Sequence, residues 1–175
     1  PAERYINVLK KTLFYRDQAK LFERMLYKME LVNSDPDLGE KVRLLPRKDF
    51  FIVPDDNQNI EMTLMANPQN KRAFEYKMAR LLLEKDLKSL IAEVKRMNEM
   101  GYTSLPKHVE EAILVYISVT REFPDTGEMK INPDTEFRYG RYLSVFNLNS
   151  SNKTKLESEM QKIAGNTFWY YYQFR

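Results

Sequence analysis

The sequence has no cysteine, which excludes a disulfide framework, a cysteine-ligated metal and thiol catalysis. It has a single histidine, His108, where a zinc site needs several ligands at suitable spacing. His108 sits in the first turn of an expected helix beside Glu110 and Glu111 and reads as an exposed residue with no chemical role. Gly39, Gly101, Gly127, Gly140 and Gly165 are all far apart, so no glycine-rich phosphate loop exists. There is no Gly-x-Ser-x-Gly nucleophile turn. No run of 18 apolar residues and no signal-peptide pattern occurs. The chain starts at Pro1-Ala2, so an upstream segment that could hold either is expected. No five-residue basic run exists, and a nucleic-acid partner is not expected. These absences point to no catalytic residue, no metal and no cofactor.

What is there suits one folded domain. The 175 residues are 43% hydrophobic and 30% charged, too apolar for a disordered chain. A chain of this mass buries roughly 70% of its surface on folding. The net charge of +3 comes from 28 basic and 25 acidic residues, interspersed almost everywhere.

Apolar spacing predicts helices over most of the length. Residues 1–34 hold N-terminal helices, with Tyr5, Ile6, Leu9 and Leu13 on one face, then Leu21, Phe22, Met25, Leu26 and Met29. Asp35-Pro36-Asp37 and Gly39 read as a break, and residues 35–57 as an irregular linker. Within it, Phe50 to Val53 reads as a short extended segment pressed on helices, since it has no partner strand. Residues 58–175 read as helical hairpins and a C-terminal aromatic helix. The expected helices are about 58–66, 69–85, 87–100 with Gly101 closing it, one from Pro106, 134–147 and 153–164. Ile113, Val115, Ile117 and Val119 alternate as a strand would, while Val109, Ala112, Ile113 and Tyr116 follow the helix period. The proline start, the early acids and the length favour helix. The expected fold is all-α, of antiparallel helical hairpins with one short extended segment near 50–53.

Asn67-Pro68-Gln69-Asn70-Lys71-Arg72-Ala73, followed by Lys85-Asp86-Leu87, resembles a tetratricopeptide repeat. The resemblance covers about 35 residues and implies a degenerate α-solenoid. Two slots that are small in that repeat fall on Met78 (or its neighbour Ala79) and on Leu90, so these helices are expected to stand farther apart. The whole chain is similar to an uncharacterised helical-repeat domain that follows membrane-spanning segments in some anaerobic bacterial proteins. The stretches that carry this are Ile60 to Leu87, Leu105 to Ala112 and Gly165 to Tyr172. The similarity implies a domain of unknown function outside the cytoplasmic membrane, on the periplasmic or cell-envelope side. It implies contact with a membrane only through a missing upstream segment.

Two candidate surfaces follow. Arg72, Tyr76 and Arg80 share one helix face at i, i+4, i+8, and two arginines around a tyrosine could clasp a peptide carboxylate. The ending Phe168 to Phe174 has too many aromatics for one neighbour to cover. It serves either as a buried terminal cap or, through Trp169, Tyr171 and Tyr172, as a contact patch. The leading expectation is a non-catalytic protein- or peptide-interaction module of a larger, membrane-anchored protein. The alternative is a regulatory or assembly domain for an attached membrane enzyme.

Overall fold

The computed structural model describes residues 2–48, 52–149 and 153–175, and in these the protein is all-α with no strand. Four helices come first: α1 (Ala2–Leu9), α2 (Arg16–Met25), α3 (Met29–Ser34) and α4 (Pro36–Leu44). Then come α5 (Asp56–Ala66), α6 (Lys71–Leu83), α7 (Leu87–Val94), the single turn α8 (Arg96–Glu99) and α9 (Lys107–Thr120). The chain ends with α10 (Pro133–Asn149), α11 (Lys153–Ala164) and α12 (Phe168–Phe174).

Local chemistry explains the boundaries. Asn70 caps α6 through the Ala73 N–H, and Asp86 caps α7 through the Ser89 N–H. Between them Lys85 takes a positive φ of 59°, and the Asp86 N–H reaches back to the Leu81 carbonyl, a tight helix-ending turn. Gly101 closes α8 at φ 77° as expected, with the Tyr102 N–H on the Met97 carbonyl. The ambiguous stretch 113–119 lies inside α9.

The irregular linker expected over 35–57 is corrected over 36–44. There Asp35 accepts the N–H groups of Asp37 and Leu38, and Pro36 occupies the first helical position. Asp35 ends α3 at Ser34, where the break is expected, and also starts α4. Gly39 lets α4 approach α3, because a Cβ there would stand 2.5 Å from the Asn33 carbonyl oxygen. Of the extended segment expected near 50–53, Phe50 and Phe51 lie outside the described residues. Ile52 is 84% exposed, so it is not pressed on a helix.

One apolar core runs from Leu64 to Tyr170. Phe74, Leu90, Met97, Ile113 and Met160 are its largest fully buried side chains. Within residues 2–48 only Ile6, Ala19 and Gly39 are buried. The accessible surface is 12463 Å², against roughly 9,000 Å² for a compact chain of this mass. The excess fits a well-packed body with α1–α4 projecting from it. The joint is polar. The buried Asn67 side chain donates to the Arg43 and Leu45 carbonyls, and Asn70 to the Leu44 carbonyl, which satisfies the last carbonyls of α4.

Candidate functional site

The site is built outward from α9, where two adjacent glutamates leave the helix about 100° apart. Both are buried, and each holds the start of a different later helix. Glu110 accepts the Asn132 N–H at 3.0 Å and the Thr135 hydroxyl at 2.7 Å, which fixes the entry to α10. Glu111, fully buried, accepts the Phe168 N–H at 2.7 Å through Oε2, which fixes the entry to α12. The same oxygen meets His108 Nδ1 at 2.9 Å. Thr167 caps α12 through the Tyr170 N–H and donates its hydroxyl to the Ala164 carbonyl at the end of α11. So α10, α11 and α12 converge on polar anchors that burial makes costly to break.

A cleft of about 310 Å³ lies where those three helices meet. Arg138, Arg141, Tyr142 and Val145 of α10 form one wall, Ile163 and Ala164 of α11 another, and Asn166, Thr167 and Trp169 the base. Trp169 is buried beside Tyr139 and Tyr142, with ring centroids 5.1 and 5.8 Å away. The Arg138 guanidinium lies 5.9 Å from the Trp169 ring centre and donates to the Asp134 carbonyl and the Thr135 hydroxyl. The buried Tyr142 hydroxyl donates to the Trp169 carbonyl, and burial pushes its pKa well above the usual tyrosine value.

Four arginines elsewhere are compensated by carboxylates. Arg72 pairs with Glu40 at 3.1 Å, Arg80 with Glu84 at 3.6 Å, Arg96 with Glu93 at 3.6 Å and Arg175 with Glu157 at 3.2 Å. Arg138 and Arg141 stand three residues apart on α10, and among the described residues neither forms an ion pair with a carboxylate. Two guanidiniums without counter-charge beside apolar walls favour an anionic group carried on an apolar body.

The stripe expected on α6 is split. Arg72 and Tyr76 line a groove of about 630 Å³ between α4 and α6, where Glu40 and Glu75 face them, whereas Arg80 leans toward Glu84 instead. The contact patch expected at the C-terminus is corrected at Trp169. It is 3% exposed because α12 packs that face onto α10, so only Tyr171 and Tyr172, both half-buried, reach the surface. Tyr171 donates its hydroxyl to the Leu83 carbonyl at 2.7 Å. It also lines an apolar cleft of about 320 Å³ with Leu82, Leu83, His108 and Phe168. Arg138 and Arg141 were not singled out by sequence reasoning. Their i, i+3 spacing on an aromatic-rich helix was the available signal. Among the described residues no cluster of three metal-ligating side chains occurs, and no helix is long and apolar enough to cross a membrane.

A model of a protein family of unknown function matches the chain over residues 1–175. No curated protein and no solved structure matches it.

Proposed function

The chain belongs to DUF6057, a family of unknown function, and we propose that it is a non-catalytic peptide-interaction module of a larger, membrane-anchored protein. In this reading it takes an acidic segment with an apolar side chain into the cleft between α10, α11 and α12. The observation that carries it is the pair Arg138 and Arg141, both without a carboxylate partner, beside the apolar side chains of Val145, Ile163 and Trp169 in one cleft. The α6 stripe is the weaker candidate, because Glu40 and Glu84 already compensate its arginines. A tetratricopeptide-like arrangement of the α6–α7 hairpin is part of the same reading. It is supported by the Asn70 and Asp86 caps, with Leu90 filling the slot where that repeat has a small residue.

Exposed arginine–carboxylate pairs contribute only about 0.2–1 kcal/mol each. Affinity therefore needs the apolar walls, where Ile163 is 50% exposed and open to a leucine-sized side chain. The test is fluorescence anisotropy with a labelled peptide of alternating glutamate and leucine, on wild type and on Arg138→Ala/Arg141→Ala. Wild type binds, binding weakens with salt, and the double variant loses about two- to thirtyfold in affinity. Equal binding by both proteins, or no binding by either, refutes the proposal.

A further inference from the structure

The connection between α1 and α2 presents Leu13 and Phe14 almost entirely to solvent, at 86% and 93% exposure, with Tyr15 at 54% beside them. This is not a loose loop. Thr12 donates its hydroxyl to the Leu9 carbonyl and accepts the Tyr15 N–H on the same oxygen. The Lys11 and Thr12 N–H groups close turns onto Val8 and Leu9. A hydrogen-bonded turn thus holds two large apolar side chains outward, at the cost of their hydration.

The charge around them is mainly basic. From Arg4 to Arg16 the sequence contains Arg4, Lys10, Lys11 and Arg16 and no acidic residue. Residues 2–28 hold seven basic and three acidic residues, a net +4, while the whole chain is only +3. The rest of the molecule is therefore close to neutral. The nearest acid after the turn, Asp17, has Lys20 3.4 Å away, and Lys10 pairs with Glu23 at 2.6 Å. Lys11 and Arg16, both exposed, flank the apolar pair with no carboxylate partner among the described residues.

From these observations we propose that the Leu13-Phe14 turn docks on an anionic lipid surface. Leu13 and Phe14 enter the headgroup–acyl boundary, Tyr15 lies at the headgroup level, and Lys11 and Arg16 contact lipid phosphates. An aromatic and an aliphatic tip flanked by bases is the chemistry a negatively charged bilayer recognises. A protein groove would satisfy the apolar pair equally well, but it gives no reason for thirteen residues without an acid. This docking does not depend on the peptide cleft, which lies on α10–α12.

The experiment is co-sedimentation of the full chain with phosphatidylcholine vesicles containing or lacking phosphatidylserine, at low and physiological salt. Wild type pellets with the anionic vesicles, stays in solution with the neutral ones, and is released by salt. Leu13→Ala/Phe14→Ala loses most of that binding, and Lys11→Ala/Arg16→Ala weakens it about thirtyfold, a factor of about five for each basic residue. All four side chains are exposed, so circular dichroism of the variants should match wild type. A Phe14→Trp variant supplies a local readout: its emission shifts to the blue on anionic vesicles, over a constant contribution from buried Trp169. Wild type left in the supernatant with both lipids, variants that pellet like wild type, or an unshifted Phe14→Trp emission overturns the proposal.

Discussion

Glu111 on α9 accepts the backbone N–H of Phe168 at 2.7 Å across 57 residues of chain. Its neighbour Glu110 holds Asn132 and Thr135 in the same manner. One helix turn thereby positions α10 and α12, whose meeting point forms the arginine-lined cleft. The cleft proposed to take a peptide thus depends on two buried carboxyl groups that do not line it.

Removal of Glu111 should be costly. Glu111→Ala leaves the Phe168 N–H buried without an acceptor, and a hydrogen bond to a charged group contributes about 1.5–3 kcal/mol. Glu111→Gln keeps an acceptor oxygen and should lose less. Urea denaturation of the three proteins measures this. A Glu111→Ala protein within about 0.5 kcal/mol of wild type would show that the contact does not hold α12.

Asn67 should govern the joint between the projecting helices and the core. Asn67→Ala removes two donors from the last carbonyls of α4. Amide hydrogen exchange in α4 should accelerate while α9 and α10 keep wild-type protection. Uniform acceleration along the chain would instead mean that the joint and the core unfold together.

Leu90 is fully buried between α6, α7 and α9, so Leu90→Ala should cost about 2–5 kcal/mol. Ile91, half-buried on the adjoining face, should cost less when cut to alanine. Thermal melts read the difference. A neutral Leu90→Ala would contradict the packing of α7.

Tyr102 should make the protein sensitive to alkali. Burial, then its hydrogen bond to Glu75, pushes the phenol up to about 12 from the usual value near 10. The folded state thus holds this proton more tightly than the unfolded chain. The stabilisation is complete below about pH 10 and is lost as the pH rises from there through about 12. The stability gap between wild type and Tyr102→Phe should shrink over that window. A gap independent of pH would show that the Tyr102 proton is not linked to folding.

Much of the fold was legible because helix periodicity is local. Ala73, Phe74, Met78 and Leu81, spaced on one face of α6, are all buried, and Asn70 and Asp86 cap where turn chemistry places them. The α4 helix is hard to read from sequence because Asp35-Pro36 carries the signals of both a break and a start, and it acts as both: Asp35 closes α3 and caps α4. Phe137 shares the apolar spacing of α10 yet is 68% exposed, since among the described residues no later helix covers that side. The site was less legible. Glu110 and Glu111 look like ordinary acids in a first helical turn, and their partners lie 22 to 57 residues away. Arg138 and Arg141 differ from the paired arginines Arg72, Arg80, Arg96 and Arg175 in lacking a carboxylate partner, and they line a cleft beside Trp169, both properties of the folded chain.

The most direct test of the peptide cleft is an amide chemical-shift titration of the labelled protein with the glutamate–leucine peptide. Shifts concentrated at Arg138, Arg141, Ile163, Asn166 and Thr167, with Arg72, Tyr76 and Arg80 unmoved, are the expected result. Shifts confined to the α4–α6 groove, or none at saturating peptide, would contradict it.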